Sequence, residues 1–185
     1  GDIDVTANGA IDARFGIGAE NFGAGATTET TVGPVNTPTG NGIFALTTCA
    51  AVTVNAGDVT STGNTAIVAR QTSAAGAGVI DVTAGDVSGT VGIFADNLGT
   101  GQTRITTTGD VIGTTSIGIV ATVGVNAGDI VIDAMNVTGL SAGISTVNNG
   151  LGATDITVRG LVQGEFNGVN AISSASPAVN IQNLG

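Results

Sequence analysis

Gly92-Ile93-Phe94-Ala95 is the stretch that decides the fold, because the chain repeats it. The phrase returns at Gly16-Ile17-Gly18-Ala19, Gly42-Ile43-Phe44-Ala45 and Gly118-Ile119-Val120-Ala121. Looser copies are Ala66-Ile67-Val68-Ala69, Gly143-Ile144-Ser145-Thr146 and Gly168-Val169-Asn170-Ala171, so successive copies lie 24 to 26 residues apart. Self-similarity at such a fixed period marks a solenoid, in which each repeat buries its apolar side only against its neighbours.

Upstream of each phrase stands a second landmark: Ile11, Val35, Val59, Val87, Val111, Val137 and Val162. In three repeats it follows Gly-Asp, at Gly57-Asp58, Gly85-Asp86 and Gly109-Asp110. Further upstream are short alternating runs such as Val52-Thr53-Val54, Ile80-Asp81-Val82, Ile130-Val131-Ile132 and Ile156-Thr157-Val158. Alternation of β-branched residues is strand chemistry, since side chains on a strand point to opposite faces with period two. Each repeat therefore reads as a coil of three short strands, with two tight corners and one variable loop. Gly89, Gly113, Gly139 and Gly164, two residues after the landmark valine, suit a corner where a Cβ would obstruct. The variable loops are read as Asn21 to Thr28, Gln71 to Gly78 and Asp96 to Gly101 in three of the coils.

The fold class expected is all-β: a parallel β-solenoid (β-helix) of about seven coils of about 25 residues, with three short strands per coil. Stacked at about 4.8 Å per rung, the coils would form a rod of roughly 35 Å. Ile17, Ile43, Ile67, Ile93, Ile119, Ile144 and Val169 should make one inward ladder, with an alanine ladder beside it. Residues 1–185 make one such domain, expected to be a segment of a longer repeat protein. Gly1-Asp2-Ile3-Asp4 opens directly in a repeat strand without a signal-peptide pattern, and Ala178-Val179-Asn180-Ile181 begins another coil.

Composition narrows the chemistry. A 42% hydrophobic chain with 10% charged residues is not disordered, and it contains no apolar run near the ~20 residues of a membrane helix. Four Arg against fourteen Asp and Glu leave a net charge of −10, which repels nucleic acid and offers no basic stripe for phosphates. The single cysteine, Cys49, is expected to be a small buried or half-buried residue.

The Gly-Asp-Val … Gly-Ile-x-Ala phrasing, rich in Gly, Thr, Val and Asn and without Lys, resembles the passenger regions of bacterial autotransporters. The likeness runs the length of the chain and rests on the repeats themselves. It implies a right-handed parallel β-helix on the outer surface of a Gram-negative bacterium, part of a longer protein with a translocator barrel. It also implies an extracellular or outer-membrane-anchored stalk or adhesin.

Candidate chemistry is sparse. Asp58, Asp86 and Asp110 fill one slot in successive coils, and the slot then passes to Asn136 and Leu161, where the carboxylates stop. They read as turn formers, with a cation site such as calcium as the alternative. Asp81, Asp133 and Asp155 fall on strands near Arg104 and Arg159, a pattern carbohydrate-cleaving β-helices also use. No His, Lys or Tyr is present to act as a base near neutral pH, so the chain is read as non-enzymatic, with no catalytic, metal or cofactor residues assigned. Thr60, Thr62, Thr106 and Thr108 do not align into an ice-binding face. The Asn136-Val137-Thr138 sequon and Gly99-x-Gly101 lack the context that would give them meaning.

One feature suggests contact. The residue between Ile and Ala should point outward, which would expose Phe44, Val68, Phe94 and Val120 as an apolar stripe. Partners expected are the chain itself, end to end or laterally, or glycans and proteins of a host surface, with no nucleic acid and no membrane insertion. The leading function is an extracellular structural stalk or adhesin-like segment. A self-assembling fibre subunit is the alternative, and a carbohydrate-binding or polysaccharide-cleaving β-helix is third.

Overall fold

The computed structural model describes residues 1–175 and 178–185. Among them there are 22 strands and no helix, and every pairing between strands is parallel. The strands form three sheets, each taking one strand from every coil. The fourth coil illustrates the plan: Ile80–Ala84 lies in the first sheet, Val87–Gly89 in the second and Ile93–Asn97 in the third. Eight strands make the first sheet and seven make each of the others, because Val179–Asn183 adds one rung to the first sheet alone. The expected parallel β-solenoid of about seven turns is thus the fold.

Register follows the sequence landmarks. Ile43, Ile67, Ile93, Ile119 and Ile144 pair directly, one coil on the next, and none is exposed to solvent. The alanine ladder runs beside them through Ala45, Ala69, Ala95 and Ala121, and in the sixth coil Thr146 takes the slot. Val35, Val59, Val87, Val111 and Val137 supply the second sheet's inward row. The first sheet contributes Val54, Val82, Ile105, Ile132 and Ile156. Each fully buried Ile or Val is worth about 1.5–3 kcal/mol, and stacking gives every inner copy two like neighbours.

The first corner, after the second-sheet strand, needs glycine for space. A Cβ at Gly113 would collide with the Ile117 carbonyl, and one at Gly139 with that of Ala142. No glycine adopts the left-handed backbone conformation, so torsion is not the reason. Two earlier coils solve the same corner differently. Thr37 and Ser61 occupy the slot, fully buried, and their hydroxyls donate to the Gly40 carbonyl at 2.9 and 2.7 Å.

The variable loops are shorter than the sequence suggests. Asn21, Gln71 and Asp96-Asn97 belong to third-sheet strands, and Thr27 and Thr28 already belong to the next first-sheet strand. The reason is a row of buried polar side chains at the strand ends. Asn97 donates through Nδ2 to the Gly101 and Gln102 carbonyls, and its Oδ1 accepts the Gly99 amide at 3.0 Å. Asn148 repeats the arrangement with the Gly152 carbonyl and the Gly150 amide, and Asn21 with the Ala26 carbonyl and the Gly23 amide. An inward amide thus ties each of these loops from beneath and extends the strand. Cys49 is exposed rather than buried, since it falls in the loop after Thr47, outside the alternating strands.

Candidate functional site

The solenoid presents three outer faces. On the third sheet, Phe44, Val68, Phe94 and Val120 stand in register on consecutive rungs. Their exposure is limited: Val68, between two phenylalanines, is 7% exposed, and the other three are half-buried. Neighbours about 4.8 Å apart shield one another, which trims the exposure of a stripe of this width. The row ends where Ser145 pairs with Val120. At its other end a small hollow of about 130 Å³ opens beside Phe15 and Phe44, where Gly16 and Gly18 carry no side chain. Beside the stripe, Arg70 and Asp96 form an ion pair at 2.9 Å between adjacent coils.

The second sheet's outer face is a shallow groove. Three hollows of about 340, 180 and 300 Å³ follow one another along it and share Thr60 and Ile112 as common walls. Asn36, Thr60, Ser88, Thr138 and Gln163 supply hydroxyl and amide groups, and Asp12 and Glu165 stand near its two ends. Sequence reasoning missed this groove. Its signal was the residue just after each landmark valine, which is polar in every coil but that of Ile112.

Along one edge of the groove runs the aspartate row, and its geometry explains it. Asp58 Oδ1 accepts the backbone amide of Asp86 at 3.0 Å, and Asp86 Oδ1 accepts that of Asp110 at 2.8 Å. The row does not stop with the carboxylates, contrary to the sequence reading. Asn136 donates from Nδ2 to Asp110 at 2.7 Å, and its own Oδ1 accepts the Leu161 amide at 2.7 Å. An amide oxygen serves this slot as well as a carboxylate does, because the partner is a backbone N–H. No group of three metal-ligating side chains occurs among the described residues.

On the first sheet, Thr6, Thr30, Thr83, Thr106 and Thr157 share one outward row, broken by Asn55 and Asp133. The threonines that align are therefore mostly not the ones singled out in the sequence. The carboxylates near arginine are also separated. Arg159 grips Asp133 one coil away, with Nε to Oδ1 at 2.8 Å, and that bond and charge hold its guanidinium above the ordinary value. Asp155 accepts from Asn180 at 2.6 Å, and Asp81 only pairs by strand register with Arg104.

One carboxyl has a resolved shift, and it lies inside. Glu29 is fully buried on the first sheet, and desolvation pushes it from 4.5 up to about 8. The backbone amide of Ala19 pulls the other way but lies outside hydrogen-bond geometry, and neither Glu29 oxygen has a partner. Simple alternation along Thr27-Thr28-Glu29-Thr30-Thr31 would have placed Glu29 inward opposite Val54.

No protein-family model matches the chain, and neither a curated protein nor a solved structure matches it.

Proposed function

We propose that the chain is a non-enzymatic structural stalk or adhesin-like segment of a surface-exposed, secreted bacterial protein, of the kind found in autotransporter passengers. The observation that carries this reading is where the acidic side chains go. Asp2, Asp58, Asp86, Asp96, Asp110, Asp129, Asp133 and Asp155 each bond to the adjacent coil, across 24 to 28 residues of sequence. Acidic groups that serve as ties between rungs belong to a part whose work is to hold its length. The one carboxyl held near neutrality, where a general acid or base operates, is sealed in the core away from any substrate. The polar groove and the half-buried stripe then serve as the surfaces offered to glycans or proteins.

End-to-end fibre assembly by pairing of solenoid coils is the second reading.

Negative-stain electron microscopy of the purified chain over a range of concentrations separates the two. Isolated short rods at every concentration are expected. Uniform threads that lengthen with concentration would replace the stalk with a fibre subunit.

A further inference from the structure

Charge separates the groove of the second sheet from the other two faces. The first sheet carries Arg104, and Arg159 beside that sheet grips Asp133; the third carries Arg70 against Asp96. In the groove every hollow is walled by a carboxylate and none by a basic side chain. Asp12 lines one, Asp86 and Asp110 the next, and Glu165 the last. Arg14, two residues beyond Asp12, lines none of them. All four carboxylates are exposed. Asp86 and Asp110 each use Oδ1 to bond the adjacent coil, which leaves Oδ2 for a ligand.

The floor of the groove repeats with the rungs. One outward residue per coil runs in register from Asp12 through Asn36, Thr60 and Ser88 to Thr138 and Gln163, and Ile112 alone is apolar. Hydroxyl and amide groups both donate and accept, so this floor suits a ligand whose own surface is hydroxyl. Ile112, 41% exposed, adds an apolar contact between the hollows.

Spacing distinguishes the ligands that could lie along such a floor. The rungs advance by about 4.8 Å. A pyranose in an extended β-1,4-linked chain advances by nearly the same distance, so each sugar meets one floor residue. The side chains of an extended peptide return to one face only every ~6.7 Å and fall out of step with the rungs. Nor can a peptide add here as a strand, because the backbone groups of this sheet pair rung to rung.

We propose that the groove binds a linear cationic polysaccharide of β-1,4-linked amino sugars with free amines. Its ring hydroxyls exchange hydrogen bonds with the floor, and its ammonium groups lie against Asp12, Asp86, Asp110 and Glu165. The proposal rests on the reading of the chain as a non-enzymatic stalk that offers surfaces, and it names what this surface takes. Exposed ion pairs are individually weak, so affinity depends on several sugars held together.

Isothermal titration of the intact chain with a glucosamine hexamer, at about pH 6 where its amines are protonated, tests this. The fully N-acetylated hexamer keeps the rings, loses the charges and should bind roughly tenfold more weakly. Asp12→Asn, Asp86→Asn and Glu165→Gln combined should weaken binding of the glucosamine hexamer by about tenfold. Asp86→Asn alone, which can keep its bond to the next coil, should give a smaller loss of the same sign. Removing three carboxylates elsewhere, by Asp4→Asn, Glu20→Gln and Asp81→Asn, should change binding by less than about twofold. Circular dichroism checks that the variants fold. Equal losses in the two triple variants would reduce the effect to net charge and overturn the proposal. Tighter binding of hexalysine than of the glucosamine hexamer, or no binding of that hexamer, would also overturn it. Those results leave the stalk reading standing; that reading fails instead on concentration-dependent threads or on cleavage of the hexamer.

Discussion

The coil of Glu29 and the coil of Val82 share one backbone plan and differ in what fills it. Both place three inward residues on the first sheet: Thr27, Glu29 and Thr31 in one, Ile80, Val82 and Ala84 in the other. Both sets are fully or nearly fully buried. The difference teaches that rung-by-rung pairing fixes the path of the chain, while side chains set how firmly each rung is held. In a stack with only nearest-neighbour contacts, a weak rung loosens chiefly the coils on either side of it.

Val82→Glu puts that difference to its harshest test. The inward residues paired with Val82, Val54 and Ile105, are apolar and sealed, so nothing there hydrates or pairs with a carboxylate. The variant should lose about 4 kcal/mol or more at pH 7, with part of the loss recovered at pH 5 as the carboxyl takes up its proton. Urea unfolding at the two pH values, followed by circular dichroism, measures both. A variant as stable as the parent at pH 7 would mean that the coil of Val82 accommodates a carboxyl as readily as the coil of Glu29 does, and the comparison would fail.

Asn97 and Val123 offer a finer contrast at the other side of the core, for they pair in register on adjacent coils. Asn97 ties its loop through several backbone groups, while Val123 leaves its loop to close through its own backbone, with the Ala127 amide donating to the Gly124 carbonyl at 3.1 Å. Asn97→Ala should therefore cost about 2 kcal/mol, because the buried Gly99 amide loses its partner and the Gly101 and Gln102 carbonyls each lose a second donor. Val123→Ala should cost a similar amount for a different reason, lost apolar burial, and should leave its loop protected from exchange. Equal loss of loop protection in both variants would show that the amide does not hold the loop.

The architecture was legible in the sequence because it repeats. Ile93 and its copies fix a period, and period plus alternation leave few ways to stack. The corner glycines were legible as corners, and the expected obstruction of a Cβ there is crowding against the next carbonyl. Tertiary polar contacts were less legible. The recurring Asn21-x-Gly23, Asn97-x-Gly99 and Asn148-x-Gly150 carried the signal of the buried loop ties, but those residues read as ordinary loop composition until their strands were seen to continue. Exposure of the stripe was overestimated, since alternation gives the direction of a side chain and says nothing of how far Phe44 and Phe94 shield Val68.

That shielding gives Phe94 a modest place in the stability of its face. Phe94→Ala should cost about 1 kcal/mol, well below any core substitution, because the ring is half-buried. It also uncovers Val68 from one side. If the stripe mediates lateral contact between copies, sedimentation velocity at high concentration should show weaker association in the variant. Unchanged association would free the stripe of that role, and a collapse of the fold would assign it to the core.

The smallest effect belongs to Asp86→Asn, and its smallness is the point. Asp86 bonds to the next coil through one oxygen and a backbone amide, and Asn136 fills the equivalent slot two coils on with the same acceptance of an amide. An asparagine at position 86 can make the same bond and can donate to Asp58 as Asn136 donates to Asp110. Stability should change by less than about 0.5 kcal/mol, whereas Asp86→Ala, which loses the acceptor, should cost about 1 kcal/mol. Melting with and without calcium completes the test. A row that only caps amides gives no calcium-dependent rise in Tm in either protein; a rise in the parent that Asp86→Asn removes would turn the row of aspartates into a cation site.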